Sequence, residues 1–165
     1  MYNLKHISAE GIPHALEKAE RYRLLNEPSL AESICIDVLN TDPANQRALV
    51  MLILAITDRF GRGFSVSDTQ AQTLIDRLQS DYEKTYYTGL ISERRGKAAL
   101  NQGNPGANHL AYECLTRAMA LYEKAEAIKP TGNDDAILRW NTCARIITQN
   151  QLTPHAKDSH DPVLE

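Results

Sequence analysis

Residues 19–43 read AERYRLLNEPSLAESICIDVLNTDP, and the placing of small, bulky and turn-forming residues in this stretch decides the fold. Ala19 and Tyr22 lie three apart on one helical face. Asn26-Glu27-Pro28-Ser29 then interrupts the pattern with turn chemistry. Leu30, Ala31, Ile34, Cys35, Val38 and Leu39 resume it at three- and four-residue intervals, the signature of a second helix, and Pro43 ends the unit. The alanines let the two helices approach closely, the tyrosine fills the gap beside them, and the proline starts the next unit.

Upstream, Pro13 opens the first helix, where proline is tolerated, and Leu16 extends its apolar face. Downstream, Asp42 is the expected N-cap of a third helix over about residues 44–60. Its nine-residue apolar run, Ala48 to Ile56, makes this the central and most buried helix. Gly61-Arg62-Gly63-Phe64-Ser65 breaks it. Ser67 with Gln70, and Ser80 with Glu83, are capping boxes that start helices four and five. Helix five runs to about Gln102 and helix six from about Ala107 to Ile128, each near 20 residues or roughly 30 Å. Gly103-Asn104-Pro105-Gly106 turns the chain between them. Helix seven carries Ile137, Trp140, Ala144 and Ile147 on one face, with Trp140 as its core anchor. After Asn150 the periodicity stops, so residues 151–165 are expected to be a flexible tail behind a single domain of residues 1–150. No stretch alternates as a strand does. The expected class is all-α.

Internal repetition sharpens this. Ala118-x-x-x-Tyr122-x-x-Ala125 with Pro130 repeats the second half of the first unit: Ala31 to Pro43 and Ala118 to Pro130 are both 12 residues apart. Ile34 to Asp42 also aligns with Thr73 to Asp81 at an offset of 39 residues. Ala19, Tyr22, Ala31, Cys35, Val38 and Pro43 together resemble the two-helix unit of the tetratricopeptide repeat (TPR) family. The resemblance covers residues 12–148. It implies a TPR-like solenoid of about three antiparallel helix pairs, the third elongated, with helix seven as a closing helix over the last apolar face. Ala15 and Lys18 stand where the family shows tryptophan and leucine, and Tyr82 where the second unit would end in proline.

Composition removes several functional classes. The formal charge is −3 and the pI about 6.0, which gives no electrostatic pull toward nucleic acid. Nine apolar residues in a row fall short of the roughly 20 that span a membrane. The first residues lack the apolar core of a signal peptide, and Cys35, Cys114 and Cys143 form neither a metal spacing nor an even disulfide set. A cytoplasmic location is the simplest expectation.

No catalytic, cofactor or metal site is expected, and the chain is read as a non-enzyme. Gly61-x-Gly63 follows a helix where a phosphate loop follows a strand. His6, His14, His109, His155 and His160 share no ligand spacing. No serine or cysteine sits in a nucleophile signature. Tyr82, Tyr86 and Tyr87 beside Arg94, Arg95 and Lys97 have the residue types that stack and pair with single strands. Tyr86, Gly89, Glu93 and Gly96, however, fall on one helical side, which points to close packing against a neighbouring helix.

The family resemblance implies that helices one, three, five and seven line a concave groove for a peptide or helix of a partner protein. The residues placed there are Glu20, Arg23, Arg47, Met51, Tyr87, Arg94, Asn141 and Arg145. Their cations suit an acidic or C-terminal segment. The family's carboxylate clamp, with lysine and asparagine on the first helix, has Leu16 and Glu20 at the matching places and is disfavoured. A protein-interaction module is therefore the first expectation. A structural, self-assembling subunit, a homo-oligomer formed through its repeat faces, is the alternative. The helix five–six hairpin, tipped by Asn101 to Gly106, is expected to project as a second contact or dimerisation element.

Overall fold

The structure, a computed structural model, describes residues 2–61 and 68–155, apart from the side chains of Asp68 and Thr69. Among the described residues there are seven α-helices and no strand: α1 (Ile12–Leu24), α2 (Pro28–Thr41), α3 (Gln46–Thr57), α4 (Asp68–Asp76), α5 (Asp81–Gln102), α6 (Ala107–Ala127) and α7 (Asp135–Gln149). No helix of the described residues is long and apolar enough to cross a membrane.

Local chemistry sets the boundaries. Pro13 lies in the first turn of α1 and Pro28 opens α2. Between them Asn26 adopts φ 62°, and the N–H groups of Glu27 and Asn26 donate to the Tyr22 and Arg23 carbonyls at 2.8 and 3.0 Å. This is a complete Schellman closure, with asparagine at the left-handed position. Ser80 caps α5, accepting from the Glu83 N–H at 3.2 Å, as the second capping box requires. Ser67 of the first box lies outside the described residues.

One expectation is revised. Asn45, not Asp42, is the N-cap of α3: its side chain accepts from the Ala48 N–H at 2.9 Å. Pro43 and Ala44 are spent in a turn, so the helix starts later, and Asp42 instead accepts from the Asn45 amide at 3.0 Å, steadying the cap. The segments aligned at 39 residues, Ile34 to Asp42 and Thr73 to Asp81, each close a helix, α2 and α4. Helices α1, α3 and α5 begin at residues 12, 46 and 81, which are 34 and 35 residues apart. Of the expected tail, residues 151–155 are described and the rest lies outside the described residues. Gln151 at φ 51° closes α7 with Leu152 N–H donating to the Ile147 carbonyl at 3.0 Å, Leu152 is buried, and His109 Nδ1 lies 3.1 Å from the Thr153 carbonyl oxygen.

Neighbouring helices pack in chain order, with α5 against α6 the most extensive pair. One apolar cluster joins α1 to α4 and includes Leu16, Ala31, Cys35, Val38, Leu49 and Ile53. The run Ala48–Ile56 supplies most of α3's buried residues, as its composition predicts. The second cluster joins α5, α6 and α7 around Leu115, Ala118, Tyr122, Ala136 and Cys143, and Tyr87 packs against both. Trp140 is half-buried at its edge and donates its indole N–H to Glu123 Oε1 at 3.0 Å.

The glycines of α5 explain the tightness of the α5–α6 pair. A Cβ on Gly89 would lie 2.9 Å from Tyr122 Cε1, and one on Gly96 would lie 3.1 Å from Leu115 Cγ and 3.2 Å from the Ala111 carbonyl oxygen. Each glycine costs about 1 kcal/mol of helix propensity relative to alanine. Here that cost admits a helix–helix approach at which an added Cβ would force Tyr122, Leu115 or the Ala111 backbone to shift.

Candidate partner-binding face

Two groups of ion pairs tie α1, α3, α5 and α7: one joins α1 and α5 to the end of α3 at Asp58, the other joins α5 to α7 at Glu93. The first lies at the C-terminal end of α3. Asp58 sits there as the C-cap, a carboxylate at the negative end of the helix dipole, which needs cations beside it. Arg23 of α1 reaches it at 2.6 Å and Arg94 of α5 at 2.8 Å. Arg94 also donates to the Leu54 carbonyl at 2.8 Å and to the Thr57 hydroxyl, so one guanidinium closes the last turn of α3. Burial pulls the Arg94 pKa down, and the Asp58 charge opposes that pull.

The second group centres on Glu93, whose side chain is fully buried at the meeting of α5, α6 and α7. It accepts from Tyr122 Oη at 2.7 Å, from Arg139 at 3.2 Å and from Lys97 one turn on. Burial alone would raise its pKa. The hydrogen bonds from Lys97 and Tyr122, with the charges of Lys97 and Arg139, outweigh burial and hold the carboxyl below its ordinary range. Arg139 is raised in return: burial lowers it, and Glu93 and the Tyr86 hydroxyl more than compensate. Tyr86 lies at the centre of an aromatic group, with ring centroids 5.7 Å from Tyr82, 5.0 Å from Tyr87 and 5.7 Å from Tyr122. Desolvation raises all four phenols, Tyr82 to about 12, so they stay neutral hydrogen-bonding groups.

The residues placed in the groove from sequence fall into three kinds. Arg23, Arg94 and Tyr87 are part of this internal framework. Met51 lies in the core at 6% exposure, because α3 is apolar all round and that side of it is covered. Glu20 and Arg47 pair at 3.3 Å with about half of each side chain in solvent, an interaction worth at most about 1 kcal/mol and open to replacement by a partner. Asn141 is half-buried and Arg145 exposed, and neither side chain has a hydrogen bond or ion pair among the described residues.

Comparison of the chain with protein-family models, curated proteins and solved structures finds no match. The reading of this face therefore rests on its own chemistry. Sequence reasoning left Asp58, Lys97 and Arg139 off this face, naming Lys97 only beside the tyrosines of α5. The Glu93–Lys97 spacing of four was a legible helical pair. Asp58 and Arg139 carried no such signal, since their partners lie 35 to 46 residues away along the chain.

Arg94 consequently reports on folding. Arg94→Glu would set a second carboxylate against Asp58 and leave the Leu54 carbonyl without its donor. The expected cost is about 2–4 kcal/mol, near the loss for breaking a buried pair. Guanidinium unfolding would check it: an unchanged midpoint would mean that Arg94 does not tie α5 to α3.

Proposed function

We propose that the protein is an interaction scaffold of the TPR-like kind, holding an acidic or C-terminal segment of a partner protein on the face shared by α1, α3, α5 and α7. The observation that carries this reading is the charge of that face. In the two groups of pairs Arg23, Arg94, Lys97 and Arg139 stand against Asp58 and Glu93, two cations in excess on a protein of net charge −3. Arg145 adds a third at the α7 end, while Glu83 and Asp135 border the tyrosines at the other edge. The 34- and 35-residue spacing of α1, α3 and α5 supports a helix-pair repeat near the family's 34-residue period.

The test uses Arg47→Glu with Arg145→Glu, both exposed, so the fold is kept. Purified protein and variant serve as parallel baits in lysate, with melting temperature and helicity matched beforehand. Loss of a captured protein from the variant alone is the expected result. Equal capture by both baits would remove the partner from this face.

A second reading has its own observation. Leu24 and Leu25 at the end of α1 and Leu30 at the start of α2 are 81%, 64% and 46% exposed, clustered round one turn. Solvent-facing leucines in a group are a common mark of association. A molar mass by light scattering that rises with concentration, and stays monomeric in Leu24→Ser/Leu25→Ser, would favour self-assembly.

A further inference from the structure

The histidines share no ligand spacing along the chain, yet the fold brings two of them together. His109 stands half-buried in the first turn of α6. His155 comes from the segment behind α7, which Gln151 turns and the buried Leu152 anchors. The two ring centroids lie 4.9 Å apart, with the ring planes at 56°. His109 Nδ1 faces the Thr153 carbonyl oxygen at 3.1 Å. That oxygen can only accept, so in the neutral ring Nδ1 carries the proton and Nε2 keeps its lone pair. A hydrogen bond of this kind is what orients a metal-ligating histidine.

We propose that His109 and His155 form a surface site for a late first-row divalent ion, of the class Ni²⁺, Cu²⁺ or Zn²⁺. An ion about 2 Å from one nitrogen of each ring stands about 3.2 Å from both ring centroids. The centroids are then about 4.5 Å apart for a right angle at the ion and about 5.2 Å apart for a tetrahedral one. The spacing of the two rings falls between these limits. One ring nitrogen of His155 suffices, whatever the other one contacts. Beside His109 an open hollow of about 270 Å³, bounded by Gly103, Asn104 and Asn108, has room for the waters that complete the coordination. Among the described residues no group of three His, Cys, Asp or Glu could hold an ion, so the protein supplies two ligands and the site stays open. Ligand chemistry selects the ion. No carboxylate lines the hollow, and the positive end of the α6 dipole opposes an ion held by charge alone, which disfavours Mg²⁺ and Ca²⁺. Imidazole suits the later ions. Bound there, such an ion clips the chain behind α7 to the start of α6.

The probe is Ni²⁺ alone, titrated into the full chain by calorimetry, with Mg²⁺ as the control. One Ni²⁺ per chain is expected, and His109→Ala and His155→Ala should each weaken it about tenfold or more. Both positions lie outside the two apolar clusters, so melting temperatures without metal should match the wild type. Amide exchange at Leu152, whose N–H donates to the Ile147 carbonyl, should slow with Ni²⁺ in the wild type and not in the variants. His6→Ala/His14→Ala should bind as the wild type does. The inference is overturned if Ni²⁺ fails to bind at about 1 mM, if binding survives either single variant, or if Mg²⁺ binds as well. Loss of binding in His6→Ala/His14→Ala would place the ion elsewhere and overturn it too. None of those outcomes touches the ion-pair face, which the Arg47→Glu and Arg145→Glu baits test separately.

Discussion

Tyr122→Ala is expected to lower the unfolding free energy by about 3–5 kcal/mol, the range for truncating a fully buried aromatic ring. Domains of this size hold only about 5–15 kcal/mol in total, so the variant would sit near the edge of folding. The size of the loss follows from the surroundings of the ring. Tyr122 is wholly buried, its ring lies against the bare backbone of Gly89, and its hydroxyl donates to Glu93 at 2.7 Å. The helices cannot close the void easily, because α5 already touches α6 as closely as glycine permits. Tyr122→Phe keeps the ring and removes only the donor to a charged acceptor, a loss of about 1.5–3 kcal/mol. Denaturant unfolding followed by circular dichroism separates the two variants. Equal losses would mean that packing against Gly89 contributes little, contrary to the geometry.

Glu93→Ala should cost about as much, roughly 3–5 kcal/mol, since it breaks a buried ionic group and strands the Tyr122 hydroxyl. Glu93→Gln keeps an acceptor for that hydroxyl. Its cost is smaller, about 1–2 kcal/mol, because Lys97 and Arg139 are about a third exposed and can turn to water. The pH dependence has a definite sign. The folded pKa of Glu93 is depressed below its ordinary 4.5. Its contribution is therefore fully present above that value and is lost as the pH falls through the lower folded pKa. The unfolding midpoint of the wild type should drop in acid below pH 4.5 by more than that of Glu93→Gln. Parallel curves for the two proteins would show that Glu93 is not ionised in the fold. Tyr122 and Glu93 share one hydrogen bond, so the double variant should lose less than the sum of the singles.

These effects bear on function because the same residues shape the proposed binding face. Glu93 fixes Arg139 and Lys97, and Asp58 fixes Arg23 and Arg94. Fixed cations lose little freedom when an acidic partner arrives, which favours affinity. The exposed cations Arg47 and Arg145 are where the proposed binding can be altered without altering stability.

Much of the helical layout was legible in local residues. Pro13 and Pro28 at helix starts, Ser80 as a cap and Gly103 at a left-handed C-cap with φ 62° are consequences of backbone chemistry that reaches only a few positions. The apolar run of α3 foretold its burial for the same reason, and Tyr86, Gly89, Glu93 and Gly96 shared a side that does face inward. The cap of α3 was misplaced by three residues, since Asp42 and Asn45 are both competent and the turn at Pro43 chooses between them.

The site divides along the same line. Sequence by itself placed Arg23, Arg47, Arg94 and Arg145 on helices, and showed no strand alternation and no long apolar run, because periodicity and composition are local properties. Only the tertiary structure decided which of those arginines are free. Arg23 and Arg94 converge on Asp58, Arg139 on Glu93, and Met51 turns inward, while Arg145 stays in solvent. A charge is satisfied by whatever lies within a few ångströms in space, and the partners here are separated by up to 46 residues of chain. Distance along the sequence carries no record of that approach.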